Sequence, residues 1–401
     1  MKIAVRAVVA AAALAAGLLS VPSVASAAGT PYVPGTLRPS VSQATQDQVL
    51  QKYYDFWKKN FLTTKCGSGT YAVLSKDADH AFVAEGEGYG LTIAAMMAEK
   101  DPQARAIVDG IVKFVKAHPS VNNKDLHAAE QDSSCKSVNG SDSATDGDLE
   151  IAYGLLIADK KWGSGGSVNY KAEAVRIINA IKKSEVNGST KFTLLGDWGN
   201  DAQYKNSSRS SDWMPGHLRG YATATGDSFW DGVRTRSETA VSQLQSQYAP
   251  NTGLLPDFVV NTNSTPKPAP SNFLEGPNDG KYSWNACRDP WRLGVDAITA
   301  PGSAAAGQVR KMNTWIQSAT GGDPSKIQSG YSLSGTKTES GQHPCFTAPF
   351  AVAAMASPGS QAWLDKLWAQ IAAFSPDASD YYGTGITVQV LLILTGNYVA
   401  A

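Results

Sequence analysis

Two stretches of this chain set carboxylates directly ahead of apolar helical runs. In the first, Phe82-Val-Ala-Glu85-Gly-Glu87-Gly-Tyr89-Gly90 leads into Leu-Thr-Ile-Ala-Ala-Met-Met97. Tyr89, Ile93, Met96 and Met97 recur at helical spacing, so the run reads as a helix with one buried face and Glu85 at its start. Negative charge there suits the positive end of the helix dipole. The glycines at 86, 88 and 90 are more than a cap requires and would let the backbone approach a ligand closely. In the second stretch, Ala144-Thr-Asp146-Gly-Asp148-Leu-Glu-Ile-Ala-Tyr153 repeats the design ahead of an apolar stripe at Leu149, Tyr153, Leu156 and Ile157. Thr145 and Asp148 have the spacing of a capping box, which leaves Asp146 free to face a groove. The chemistry open to such groups is proton transfer, in which a protonated carboxyl serves a leaving oxygen while an ionised one activates water.

The elements that must position these groups are nearly all helical. Apolar periodicity predicts helices over 42–61, 86–99, 102–117, 147–159, 168–185, 213–225, 228–248, 290–300, 303–318, 346–356, 361–373 and 379–396, with few strand alternations. Long connections (62–85, 118–146, 186–212, 249–289 and 319–345) alternate with short ones. Successive antiparallel helices put alternate connections at opposite ends of a bundle. All five long loops therefore gather on one face, at the N-terminal ends of every second helix. Glu85, Asp146, Asp212 and Glu275 lie in or at the end of these loops and are predicted to converge. The closed form that follows is all-α: a ring of six helical hairpins with a long-loop rim, the usual place for function on a rigid scaffold. Segment 261–272 has linker composition, but a cut there would leave an incomplete ring on either side. A single domain over 28–401 is expected.

Lys2 and Arg6, an apolar stretch and then Ala25-Ser-Ala27 read as a secretory signal over 1–27, so an exported, extracellular chain is expected. No other apolar run is long enough to span a bilayer, and no membrane partner is expected. Cys66, Cys135, Cys287 and Cys345 then suggest two disulfides, with the pairing open. Neither they nor the five His residues have metal-ligand spacing, and no metal or cofactor is expected. Thirty-five basic residues balance thirty-five acidic ones, and no basic run is interleaved with aromatics, which argues against nucleic acid as a partner. A monomer is expected. Ten Trp and fifteen Tyr suit a core and also the flat faces of sugar rings.

From Ala144 through Trp162 the sequence resembles glycoside hydrolase family 8, whose motif A-[ST]-D-[AG]-D-x-x-[IM]-A is followed by a Trp. The stretch from Ala84 to Gly90 resembles the same family's S-E-G-x-x-Y-G, with Ala84 in place of Ser. The resemblance covers essentially the whole chain beyond the signal. It implies an (α/α)6 barrel and an inverting hydrolase acting on a polysaccharide, with Glu85 as general acid and Asp146 holding the distorted sugar beside the cleaved bond. The third family motif, Tyr-Asp-Ala-x-Arg-x-Pro, supplies the general base in the best-known members. Here it reads Trp284-Asn285-Ala-Cys287-Arg288-Asp289-Pro290, and an amide cannot deprotonate water. The resemblance therefore points to the branch in which a loop Glu takes over, a branch that includes chitosanases, lichenases and β-1,4-glucanases. Glu275, in Asn272-Phe-Leu-Glu275-Gly-Pro-Asn-Asp279, is assigned the base, with Asp279 and Asp289 next in order.

Asn285 and Arg288 are expected to position the water or the base, Arg288 alternatively as a plain salt-bridge residue. Asp212 is read as a sugar contact, Trp213 as a stacking platform or core, Trp198 as a further platform, and Tyr89 as a substrate contact. Acidic residues outnumber basic ones in the long loops although the chain is neutral, which tilts the expected substrate toward cationic chitosan over neutral β-glucan, with Asp212 as partner of an ammonium group. Two other readings stand beside this one: a binding protein that has lost catalysis, suggested by Asn285, and a polysaccharide lyase, which would use Tyr, His or Arg chemistry instead.

Overall fold

The computed structural model describes residues 29–77 and 79–401. The expected signal at 1–27 lies outside the described residues.

Twelve α-helices are present among the described residues, their ends displaced by three residues or fewer from the sequence expectation. Six of them, α2 (Ala84–Met96), α4 (Thr145–Trp162), α6 (Pro215–Thr225), α8 (Asp289–Thr299), α10 (Pro344–Met355) and α12 (Tyr381–Leu394), pack side by side in that order, and α12 returns to α2. This closes an inner ring. The other six, α1 (Gln43–Phe61), α3 (Ala104–Ala117), α5 (Tyr170–Ser184), α7 (Phe229–Gln247), α9 (Ala305–Ala319) and α11 (Gln361–Ala373), form an outer layer packed on the inner ring. Together they make an (α/α)6 barrel.

Residue chemistry sorts the two layers. Every residue of α2 is buried, and α10 and α12 are apolar on all sides, as helices surrounded by protein must be. The outer helices carry one apolar stripe each. In α3 this is Ile107, Val108, Ile111, Val112 and Phe114, while Lys113 and Lys116 face solvent.

The glycines of the two carboxylate motifs serve this packing. A Cβ at Gly88 would lie 2.3 Å from that of Glu150 on α4, and one at Gly147 would lie 2.3 Å from that of Ala84 on α2. Gly90 is closed off in the same way by Val73 and Ile111. The expectation of close approach to a ligand is corrected for Gly88 and Gly90: Gly88 and Gly147 let α2 and α4 approach until their first turns sit side by side, and Gly90 lets α2 close on Val73 and Ile111.

The long connections all lie at the N-terminal ends of inner helices and are laced together by short strands. The first holds the pair β1 (Leu62–Thr63) and β2 (Ala72–Val73), and its β3 (Phe82–Val83) pairs with β4 (Glu130–Gln131) of the second. β5 (Ser207–Arg209) of the third pairs with β6 (Phe258–Val260) of the fourth, which also pairs with β7 (Lys267–Pro268). The segment of linker composition thus folds back as a hairpin. Tyr282 and Tyr331 bridge the fourth loop to the fifth.

One disulfide, Cys66–Cys135, ties the first rim loop to the second. The expected second disulfide is absent. Cys287 and Cys345 are buried free thiols, with Cys287 Sγ donating to the Trp284 carbonyl at 3.1 Å and Cys345 Sγ 3.1 Å from His343 Nδ1.

Candidate active site

Because α2, α4, α8 and α12 all begin at the rim, residues far apart in sequence meet in one open cleft of about 330 Å³. Its lining includes Glu85, Glu130, Asp146, Arg209, Glu275, Trp284, Asn285, Arg288, Tyr381 and Tyr382. Glu85 is the second residue of α2 and Asp146 the second of α4, so two rigid helices seat these carboxylates. Glu275 reaches the same cleft from the irregular fourth connection.

The polar groups form a closed circuit. Arg288 is 1 % exposed and pairs through Nη1 with Glu85 and, at 3.0 Å, with Asp146 Oδ2. Its Nη2 donates to Asn285 Oδ1 at 3.0 Å and to Ser211 Oγ at 2.8 Å. Asn285 Nδ2 passes the chain on to Glu275 Oε2 at 2.7 Å. Arg209 closes it, with Nη1 3.3 Å from Asp146 Oδ2 and Nη2 3.4 Å from Glu275 Oε1.

Two guanidinium groups thus face three carboxylates, and their environments decide which one keeps a proton. Burial pushes Glu85 up to about 7, against the attraction of Arg288 and with a further push from Asp146. Burial acts on Asp146 in the same direction, but Arg209 and Arg288 outweigh it and hold the group at about 2. Asp146 also accepts from the Gly147 amide at 2.9 Å. Tyr381 donates to Glu85 Oε1 at 3.3 Å. Glu275 differs from both, with 48 % of its side chain open to solvent.

The other carboxylates near Glu275 face inward. Asp279 Oδ2 accepts from the amides of Leu274 (2.7 Å) and Glu275 (3.1 Å), and its Oδ1 from that of Gly276 (2.9 Å). It clasps the loop that presents Glu275 and is itself buried. Asp289 is buried against Ser210 Oγ at 2.9 Å. Asp257 accepts from the amides of Ser283 (3.0 Å) and Ala286 (2.7 Å), anchoring the turn that carries Asn285 and Arg288. Burial raises Asp257 to about 7 in spite of those bonds.

Three of the expected sugar contacts are core instead. Asp212 is fully buried, its nearest cation being Arg209 at 3.7 Å, and burial pushes it to about 7. Trp213 is buried against Phe192 and donates its indole N–H to Ser208 Oγ at 2.9 Å. Tyr89 lies buried, edge-on to Trp291. None has surface to offer a sugar: Tyr89 lies one turn below Glu85 inside the barrel, and Asp212 and Trp213 are covered where the third connection enters α6. Trp198 is half-buried, bonded to the Ser143 carbonyl at 3.2 Å and packed edge-on against Tyr204. Asp148 forms no capping box; its Oδ1 accepts from the His127 amide at 3.0 Å and anchors the second rim loop.

Sequence reading passed over Arg209, Trp284, Tyr381 and Tyr382. A positional signal was present: the first turn of an inner helix faces the cleft, which singles out Tyr381 on α12 as it does Glu85 on α2. Arg209 and Trp284 carry no such mark.

An (α/α)6 barrel whose cleft holds a buried carboxyl pushed up to about 7 together with a solvent-exposed one has the fold and groups of an acid–base glycoside hydrolase. The chain belongs to the glycosyl hydrolases family 8, which it matches over residues 36–396. It is 43% identical over 370 residues to a beta-glucanase of Niallia circulans, covering 92% of this chain and 90% of that protein. It is 35% identical over 375 residues to an endoglucanase of Bacillus sp. (strain KSM-330), covering 91% and 79%. The solved structure of a beta-1,3-1,4-glucanase from Paenibacillus sp. X4 superposes with a TM-score of 0.90 at 43% identity, covering 93% of this chain and 98% of that one.

Proposed function

We propose that the protein is an exported, endo-acting β-glucanase that cleaves β-1,4 bonds of mixed-linkage glucan with inversion. Glu85 is the general acid and Glu275 the general base. The observation that carries this reading is the contrast in one cleft between Glu85, held protonated up to about pH 7, and the solvent-facing Glu275. Inversion needs a water between the base and the sugar, and a half-exposed carboxylate on an open loop has access to one. Asn285 and Arg209 direct the two oxygens of Glu275, leaving a lone pair for that water. Asp146, ionised at any pH above about 2, accepts a hydroxyl of the distorted sugar and stabilises developing positive charge on the ring.

Neutral glucan is favoured over chitosan for two reasons. The relatives that align along most of this chain are glucanases by name. Asp212, the one residue singled out as partner for an ammonium group, is sealed in the core. The N-terminal sequence pattern supports export.

The test is turnover of mixed-linkage β-glucan, carboxymethyl cellulose and chitosan by the purified protein, with the anomeric protons followed by NMR. Mixed-linkage glucan is expected to turn over fastest and to release the α-anomer first. An initial β-anomer would overturn the role given to Glu275, and faster turnover of chitosan would overturn the choice of polymer. N-terminal sequencing of protein from the culture medium is expected to begin near Ala28.

A further inference from the structure

The loop that carries Glu275 is irregular, and the Asp279 clasp holds it only to itself. Phe273 packs it against Tyr204 and Phe258 (5.5 and 6.0 Å), the Asp279 carbonyl accepts from the Phe258 amide at 2.8 Å, and one further side chain joins it to both the fifth connection and the Trp284 turn. Glu339, half-buried in the fifth long connection, accepts from Asn278 Nδ2 at 2.9 Å through Oε1 and from Trp284 Nε1 at 3.1 Å through Oε2. Asn278 sits within the clasped loop, three residues after Glu275. Trp284 immediately precedes Asn285, which bonds Glu275 Oε2. The single carboxylate of Glu339 therefore grips both segments that determine where the base stands.

We propose that Glu339 is a positioning residue for the reaction, holding the Glu275 loop in register with the Trp284–Asn285 turn. The inference rests on the reading of Glu275 as the base. Glu339 touches neither the acid nor Asp146 in the cleft, so its effect falls on delivery of the attacking water and not on sugar binding. A displacement of the base by about 1 Å is enough to cost on the order of 10²-fold in rate. Trp284 does not depend on this carboxylate alone for its place. This indole is 39 % exposed, lines the cleft, and packs edge-on against His343 and Phe346 (4.9 and 5.1 Å).

The experiment is steady-state kinetics of Glu339→Ala, Glu339→Gln, Asn278→Ala and the double variant Glu339→Ala/Asn278→Ala on soluble mixed-linkage glucan, with melting temperatures alongside. Glu339→Ala is expected to lower kcat between about ten- and a hundredfold, with KM changed by less than about twofold and the melting temperature close to wild type. Gln keeps one acceptor, cannot take both donors, and should fall between. The double variant should be little worse than Glu339→Ala alone, because Asn278 acts through the same carboxylate. Wild-type kcat in Glu339→Ala, or a loss confined to KM, would overturn the proposal. Should Glu339→Ala fail to fold, Asn278→Ala decides, and unchanged kcat there overturns it as well. Glu275→Gln, measured in parallel, separates the two claims: if it is active the base reading fails, whereas if it is dead while Glu339→Ala matches wild type only this inference fails.

Discussion

Glu85 and Glu275 are the same functional group in opposite settings. Glu85 stands in the first turn of a helix buried on every side, against a helix so close that glycines are required between them. Glu275 stands on an irregular loop, half in solvent, and is held by polar contacts to Arg209, Asn285 and, through its backbone, Asp279. The difference suits each group to the role proposed for it. A rigid, dry seat raises the affinity of a carboxyl for its proton, which an acid needs, while an open seat keeps water within reach, which a base needs. Rigidity comes from packing on one side of the cleft and from a small hydrogen-bonded clasp on the other.

The comparison is broken most severely by removing either group. Glu85→Gln and Glu275→Gln should each lose on the order of 10² to 10⁴ in kcat with the circular dichroism spectrum unchanged. Retention of more than about a tenth of the rate by Glu275→Gln would place the base elsewhere, since general-base catalysis contributes more than that. Opening the clasp is next in size. Asp279→Ala strands three amides and lets the loop drift, so kcat should fall on the order of tenfold to a hundredfold, while Asp279→Asn, which keeps one acceptor oxygen, loses less.

Protonation tests the contrast more finely. With Glu85 as the proposed general acid, kcat/KM of the wild type should fall as pH rises through about 7. An alkaline limb far from there would mean that burial does not set the acid. Asn285→Asp should move the acidic limb to higher pH, because a second carboxylate 2.7 Å from Glu275 Oε2 opposes ionisation of the pair. A limb that stays in place would show that Asn285 does not contact the base in solution.

The smallest expected effect is on stability. The carboxyl of Asp212 is raised to about 7 in the folded state. Its contribution is fully present below the unfolded value of about 4 and is lost as pH rises through about 7. Asp212→Asn should therefore flatten the decline in melting temperature between about pH 4 and pH 7 and leave activity on glucan nearly unchanged. An unaltered pH profile of melting would mean that Asp212 is ionised in the fold.

Legibility in the sequence followed physical scale. Helix positions were readable because a 3.6-residue apolar repeat is a local property, and the alternation of long and short loops was enough to bring Glu85, Asp146 and Glu275 to one rim. Asn285 was noticed because an amide stands where chemistry calls for a carboxylate. What misled were residues close to the cleft in sequence: Asp212, Trp213 and Tyr89 share the chemistry of sugar contacts, yet one helical turn of depth or the cover of a neighbouring segment separates a side chain in the cleft from one in the core. Cys287 and Cys345 were misjudged because disulfide formation depends on distance and orientation, which cysteine counts do not contain.

The sequence by itself determined the helical ring, the face on which function gathers and the types of group available there, since all of these rest on periodicity, loop length and side-chain chemistry. Only the tertiary structure decided which carboxyl is dry and which is wet, that Arg209 and Arg288 join three distant carboxylates, and that Asp279 and Glu339 hold the Glu275 loop. These are contacts across long separations in the chain. Burial and the spacing of charges belong to the packed molecule, so no local pattern of residues records them.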